Sequence, residues 1–404
     1  IIVPLALAVI VNGYFEEVSL WKLLLSLAVI VLGVVFFLMH RVGGNYRVMG
    51  RYLLCLTIAL EMSLSLALGA ANIGATVRST YPKEGDSVEK LLELAETLER
   101  ERGNLFWRAE TDDTYTLNEG ALLGYHGVST FTSSANAIFN RFSGSLGFAS
   151  WPSSNRYAYI ESTPFTNTLC GIRYLFDRSG TRGEQPFYRI VETDGKTSLV
   201  EYEGFLSLGF MTNAELANFT ASSAVYNPFT EQEQMFRQAT GITKSLYFHL
   251  NASSVEGQSD TVQFYRSGNS GTQYSFNTSG AEGDTKLRIR YKLDRDGLVC
   301  MTSNHPTNGV ETVSIYCNDT LVMTRNIKIR ALFNLGAYRE GDVITLEYSM
   351  PKDKSGAISA DVAVQNDDVL SAGLETLADE CWKLTEFSDT RVSGTIDVLA
   401  DGLF

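Results

Sequence analysis

The run "LWKLLLSLAVIVLGVVFFLMH", Leu20 to His40, limits what this chain can be more than any other feature in it. As a helix it has about the length that crosses a ~30 Å hydrocarbon core, where only helices and closed barrels satisfy every backbone polar group. A second apolar run extends from Tyr52 to about Ala75. A secretory signal is the competing reading, but two runs separated by a basic connector do not fit its short apolar stretch and small-residue cleavage site. The pattern therefore predicts two spans, at about residues 20–40 and 52–75.

Charge sets their orientation. The connector "HRVGGNYRVMGR" carries Arg41, Arg47 and Arg51, whereas "NGYFEEVS" before the first run carries Glu16 and Glu17. An arginine-rich loop belongs in the cytoplasm, so everything after Ala75 is expected on the far side. The opening residues Ile1 to Val11 are wholly apolar and about half the length of a span, and read as the end of a further helix. With no initiator Met and a final "TIDVLADGLF" that stops in mid-pattern, the chain is expected to be part of a larger polytopic protein. Glu61 lies inside the second run, where an ionisable group is costly unless it faces protein or water. It is either neutral or interface-paired, or it serves a lipid-head or substrate channel.

The whole chain has a formal charge of −13, and residues up to Ala75 hold three glutamates against one lysine and three arginines. The acidity thus belongs to the remainder. Such a surface has no clustered Lys and Arg to release counterions from phosphates, which argues against nucleic acid as a partner. Cys55 lies within a span, and Cys170, Cys300, Cys317 and Cys381 are scattered without CxxC or zinc spacing. One external pair could oxidise, although in a simple hairpin joining the strands around Val299 and Ser314, Cys300 and Cys317 would not face each other.

Beyond the turn "YPKEGD", Val88, Leu91, Leu92, Ala95 and Leu98 recur at helical spacing, with Asp86 and Glu89 as the start and Gly103 as the stop. "LFWRAETDD" reads as extended, followed by "LLGYHGVSTFTSSANAIF" and a helix near Ser134 to Phe142. "GIRYLF", "FYRIVET", "SLVEYE" and "LSLGFMT" are strand-like. "NPFTEQEQMFRQATG" offers Asn227 as cap, Pro228 at the first helical position and Gly241 as terminator. These elements predict a mixed α+β domain over residues 76–241. From Ile242 the period changes to two, in "SLYFHL", "TVQFYR", "KLRIRYKL", "GLVCMTS", "ETVSIYC", "VITLEYS" and "SADVAVQ", which predicts an antiparallel, jelly-roll-like β-sandwich over residues 242–404. A late helix, "DVLSAGLETLADECWKL", interrupts it.

The stretch Leu122 to Phe139 holds the candidate site. Gly124 and Gly127 permit positive φ and close backbone approach, and Ser129, Thr130, Thr132, Ser133 and Ser134 precede a helix start, a combination that offers amides and hydroxyls to an anion or a sugar. The plainer alternative has Ser133 or Ser134 capping the helix and the glycines making turns. His126 is a possible acid or base, or else a packing or turn residue. Arg108 and Glu110, two apart on a strand, share a face and either pair with each other or bind polar substrate. Asp112 and Asp113 are candidate carboxylates, or a solvated turn. Tyr247, Phe248, Phe264, Tyr265, Tyr291 and Tyr316 read mainly as core, with sugar stacking the alternative. Four Asn-x-Ser/Thr sites, at Asn218, Asn251, Asn277 and Asn318, carry no weight at this composition. No nucleophile elbow, HExxH, phosphate loop or dinucleotide fingerprint occurs, and no motif implies a cofactor; a divalent metal is left open.

The ordered succession of "LTIALEMSLSLALGAAN", a "YP" turn and helix, "WRAETDD", "GYHGVSTFTSSANAIF", "GIRYLF", "YEGFLSLGFM", "NPFTEQEQMFRQATG" and "LGAYREGDVITLEY" resembles the YfhO family of bacterial membrane proteins from about Leu53 onward. The resemblance implies a multi-pass protein of the bacterial cytoplasmic membrane with residues from about 76 outside. It implies similarity to GT-C glycosyltransferases that move a sugar from a polyprenyl-phosphate carrier to an envelope polymer such as lipoteichoic acid. In that class a catalytic carboxylate sits in an early external loop, upstream of Ile1. Membrane lipid, the lipid-linked sugar and the polymer are then the expected partners. The rival expectation is a non-enzymatic, membrane-anchored carbohydrate-binding or envelope-assembly module; an external hydrolase lacks a recognisable pair of acids.

Overall fold

The computed structural model describes residues 20–72, 86–150, 156–159, 162–183, 185–221, 227–257, 263–267, 273–303, 309–328, 331–379, 381–388 and 391–396. The chain forms two compact units, Ile1–Thr80 and Tyr81–Phe404. The helix end expected at Ile1 to Val11, most of "YPKEGD" and the last residues of the second expected span lie outside the described residues.

In the first unit, helix Leu20–Val42 and helix Gly44–Asn72 are separated by Gly43 alone. Gly43 and Gly44 take φ of +95° and +59°, left-handed values that glycine reaches without a Cβ penalty. The helices then pack back on each other: a Cβ on Gly50 would stand 2.6 Å from the His40 amide nitrogen and 2.8 Å from the Phe36 carbonyl oxygen. The expected basic loop is therefore a tip, not a loop. Arg47 and Arg51 belong to the second helix, because nothing between Asn45 and Arg51 breaks a helix. The His40 ring donates to the Arg47 carbonyl oxygen at 3.0 Å and clasps the turn. Among the described residues, Gly44–Ala67 is the one stretch long and apolar enough to cross a membrane, and Ala28–Val42 is a shorter apolar piece. Glu61 is exposed on the longer helix.

The second unit is mostly β. Helix Ser87–Arg102 starts where the Asp86 side chain accepts from the Val88 amide at 3.0 Å and stops at left-handed Gly103. It buries Val88, Leu91, Leu92 and Ala95 against a four-stranded sheet. In that sheet Arg108–Asp112 runs parallel to Ile172–Asp177, and Thr197–Tyr202 and Tyr188–Asp194 follow antiparallel. Two buried glutamates, Glu99 and Glu201, tie the helix to the sheet through Arg102, Arg173 and Arg189.

Residues after 246 build two larger antiparallel sheets. One has the order Thr320–Asn326, Thr312–Cys317, Val343–Met350, Thr285–Lys292, Ser254–Glu256; the other runs Ala331–Tyr338, Gly297–Ser303, Asp361–Gln365, Tyr247–His249. Alternate residues meet between them, Leu287, Ile289 and Leu346 from the first against Val299, Met301 and Val362 from the second. A smaller sheet, Gln263–Ser267, Gln273–Asn277 and Ser355–Ser359, contributes Tyr274, Phe276 and Ile358 to that core. The strands around Val299 and Ser314 do not form a hairpin with each other. Gly297–Ser303 pairs with Ala331–Tyr338 and Asp361–Gln365, and Thr312–Cys317 belongs to the opposite sheet. All five cysteines are free thiols.

The four-stranded sheet of the sandwich is buried on both faces, and Asp361–Gln365 is buried at every position. Its outer face presents Tyr247, Leu298, Cys300, Leu332 and Ala363 to Phe229 and Phe236 of helix Pro228–Thr240, Leu370 of helix Asp367–Ala378, and Phe165 of helix Pro164–Cys170. One core therefore passes across residue 241. Asn227, Pro228 and Gly241 start and end the intervening helix as their residue types dictate. "LSLGFMT" is not a strand: Phe210 makes an isolated bridge to Cys381, and Leu206 fills a small core with Ala239 and Leu377.

Candidate functional site

The stretch from Gly124 to Ser129 folds over the strand that carries Glu110. The Ala109 amide donates to the His126 carbonyl oxygen at 3.0 Å. The Glu110 carboxylate, 2% exposed, accepts from the amides of Val128 and Ser129, the latter at 2.6 Å, and from the Ser129 hydroxyl at 3.1 Å. That hydroxyl in turn accepts from the Tyr159 amide at 2.8 Å. The amides expected to await an anion are thus already taken by a carboxyl group that the chain itself supplies. Burial pushes the Glu110 carboxyl up to about 7, outweighing the Ser129 and Val128 donors that pull it down. Gly127 leaves room for the carboxylate here, since a Cβ would stand a tight 3.2 Å from Glu110 Oε1. Gly124, at φ +88°, ends the short helix Glu119–Leu123 in the left-handed region.

Arg108 and Glu110 do not pair. The partner strand carries an extra residue, Arg173, between the positions that face Arg108 and Ala109, and each of the two side chains finds partners of its own. Arg108 donates to the Cys170 carbonyl oxygen at 2.7 Å and lies 4.9 Å above the Phe106 ring. His126 packs its ring against Phe106 and Phe387, at centroid distances of 5.3 and 5.9 Å. Thr130 joins a short strand, Thr130–Phe131, paired with Arg156–Ala158. Ser133 and Ser134 do not cap the following helix. It runs Ala137–Ser145, and the Asn136 side chain accepts from the Ile138 and Phe139 amides, while Ser134 is engaged with Thr132 in the preceding turn. The structure therefore brings Glu110, Gly127 and Ser129 together, and sets His126, Arg108, Ser133 and Ser134 on other contacts.

Three neighbouring features escaped the sequence reading. Arg182, 2% exposed, donates to Asp112 at 2.8 Å and to the Ser162 carbonyl oxygen at 3.2 Å, so Asp112 is an anchor and not a bare solvated carboxylate. Asp177 organises the turn before it, accepting from the Ser179, Gly180 and Arg182 amides; the "DRSG" pattern was its only local signal. Buried Glu119 pairs with Arg178 at 2.7 Å, and that guanidinium lies 3.9 Å above the Tyr115 ring.

Beside the Glu110 loop lies a cavity of about 270 Å³ lined by Val128, Phe139, Phe142, Leu146, Leu169, Met235 and their neighbours, almost wholly apolar. Sealed and empty, a void of that size costs on the order of 6 kcal/mol, at roughly 24 cal/mol per Å³. Cys170 contributes to its wall, and burial pushes that thiol up to about 12, which makes it a packing group and a poor nucleophile. Among the described residues no group of His, Cys, Asp and Glu is arranged to hold a metal ion.

A family model described as "Bacterial membrane protein YfhO" matches residues 1–403. No curated protein matches the chain. Among solved structures, about 30% of the chain is similar to the CBM36-1 domain of a multidomain xylanase from the hindgut metagenome of Trinervitermes trinervoides, at 9% identity over 97% of that chain and a TM-score of 0.21. A family 35 carbohydrate binding module from Clostridium thermocellum is matched over 30% of this chain and 98% of its own, at 10% identity and a TM-score of 0.21. CBM35 from Paenibacillus barcinonensis is matched over 28% and 100%, at 11% identity and a TM-score of 0.19. Scores this low establish no shared function.

Proposed function

The chain belongs to the YfhO family of bacterial membrane proteins, and from that premise we propose that it acts within a multi-pass glycosyltransferase-like protein of the cytoplasmic membrane. In this reading the protein transfers sugar from a polyprenyl-phosphate carrier to an envelope polymer such as lipoteichoic acid. The reaction is displacement at the anomeric carbon: a carboxylate base takes the proton of an acceptor hydroxyl, and the lipid phosphate leaves. The observation that carries the proposal is the union, in one family member, of an apolar helix fit to span a bilayer with a large, acidic, mostly β unit.

Both apolar helices cross the membrane in this reading. The tip bearing Arg41, Arg47 and Arg51 lies in the cytoplasm, which supports an external location for residues from about 76 onward. Glu61, exposed on its helix, then faces another span or the substrate path. Residues 76–241 and 242–404 act together as an external acceptor-binding and scaffolding part. Deleting the full-length gene and measuring sugar substitution of the envelope polymer tests the activity. Loss of the sugar, restored by the intact gene, supports transfer; unchanged polymer removes it.

One observation favours a second reading, in which the external part is a non-enzymatic carbohydrate-binding or assembly module. The loop that was the external part's candidate for chemistry is a fixed structural element built around Glu110, which suits a scaffold better than a reacting site. Purified full-length protein that retards the polymer in a gel but moves no sugar from the carrier would select this alternative.

A further inference from the structure

Between Glu119 and Glu161 the chain has no aspartate or glutamate, where its average composition would place about four or five. The same interval carries Arg141 and Arg156. In a protein of net charge −13 the interval is therefore locally basic, and an anionic surface does not repel it. It also exposes large apolar side chains: Ile138 is 70% exposed and Phe131 45%, and Leu122 and Phe139 are exposed as well.

These residues are joined structurally. Phe131 pairs with Arg156 across two short strands, and the Arg156 guanidinium lies 5.1 Å above the Phe131 ring. The Asn118 side chain holds the Phe131 amide and carbonyl at 2.8 and 3.1 Å, next to the helix that bears Leu122. Phe139 belongs at once to the exposed set and to the wall of the apolar cavity, which places the cavity's mouth on this surface. The opposite wall includes Val128, whose amide is fixed by Glu110.

We infer that this apolar, arginine-bearing surface docks on an anionic phospholipid bilayer, with Arg141 and Arg156 toward the headgroup phosphates and one acyl chain entering the cavity between Val128, Phe139, Phe142 and Leu146. Exposed apolar side chains interleaved with arginine are the composition that partitions into the headgroup boundary, and residues 120–160 add no carboxylate to oppose it. The apolar lining suits a hydrocarbon chain and offers nothing to a sugar. The inference rests on the family's membrane location and goes beyond the sugar-transfer reading.

The test uses the full chain in nanodiscs of phosphatidylcholine alone or with added phosphatidylglycerol, each doped with a phospholipid whose acyl chain carries a diazirine. After illumination, cross-linked peptides are mapped by mass spectrometry. Cross-links in the peptides that hold Val128 and Ala137–Ser145, increasing with phosphatidylglycerol, are expected. Ile138→Asp and Arg141→Glu change exposed positions and should each cut that yield roughly tenfold, with hydrogen exchange of the Ser87–Arg102 helix unchanged. Cross-links that map elsewhere, or that survive both substitutions, overturn the inference. So does complete displacement by an isoprenoid phosphate with no response to phosphatidylglycerol, which would assign the cavity to the carrier. Loss of sugar transfer with lipid cross-linking intact would count against the proposed activity and leave the docking surface standing.

Discussion

The Glu110 carboxylate accepts the Ser129 amide at 2.6 Å across nineteen residues of chain, and so fixes the loop that forms one wall of the apolar cavity. Removing that acceptor by Glu110→Ala leaves two amides and a hydroxyl without their partner and should cost about 3 kcal/mol. Glu110→Gln keeps an acceptor for the amides and should cost less than about 1 kcal/mol. Urea denaturation of the two variants, in the same detergent or nanodisc, distinguishes them; equal destabilisation would show that the carboxylate is not what holds the loop.

The same group makes stability depend on pH. Its folded value of about 7 lies above the ordinary glutamate value, so the native protein keeps a proton that the unfolded chain has released. The contribution is therefore greatest below about pH 4.5, declines as pH rises toward about 7, and is flat beyond. Comparing wild type with Glu110→Gln from about pH 5 to about pH 8 isolates this slope. A Gln variant with the wild-type slope would assign the dependence to another residue.

The two glycines of the loop differ in what they tolerate. Gly124 has φ +88° with open space around its missing Cβ, so Gly124→Ala should cost about 1 kcal/mol of backbone strain. At Gly127 a side chain approaches both Glu110 Oε1 and, at 3.5 Å, the Tyr125 ring. Gly127→Val should cost more than Gly124→Ala, by about 1 to 2 kcal/mol, and should raise hydrogen exchange at the Val128 and Ser129 amides. Undisturbed exchange there would mean that the loop accommodates a Cβ after all.

Arg182 should behave as a buried ionic anchor. Arg182→Met strips Asp112 and the Ser162 carbonyl oxygen of a donor and should cost about 3 to 5 kcal/mol. Combining it with Asp112→Asn should recover part of that loss, because the uncompensated carboxylate is then gone. A double-mutant cycle gives the coupling directly, and strict additivity would mean the pair is not coupled.

Cutting the chain after Gly241 should not release a stable sandwich. Leu298, Cys300, Leu332 and Ala363 would lose Phe165, Phe229 and Phe236, turning one face of a doubly buried sheet to water. Residues 242–404 alone are expected to bind a hydrophobic dye and unfold without a sharp transition. A sharp, dye-free transition would establish that part as independent.

What could be read from the sequence was whatever local chemistry decides. Asp86, Gly103, Asn227, Pro228 and Gly241 mark helix ends because a cap needs only its own residue and the next three. "GIRYLF" and "KLRIRYKL" declare strands through their own pattern. Where several local candidates competed, the choice went astray: Asn136 and not Ser133 or Ser134 takes the cap, since Thr132 already engages Ser134. Partners far apart in sequence were not legible at all. Nothing around Glu110 announces that Val128 and Ser129 will meet it, or that Arg182 will be buried beside Asp112. The assignment of Gly297–Ser303 and Thr312–Cys317 to opposite sheets likewise depends on what covers each face, which adjacency in sequence does not reveal.

The reversal at Gly43 has an arithmetic consequence. Two helices that fold back at a single residue return the chain to the end of the pair from which it set out, so Leu20 and Asn72 lie toward the same end. In the proposed reading, where both helices cross the bilayer, such a pair adds an even number of passages and leaves the sidedness of everything downstream unchanged.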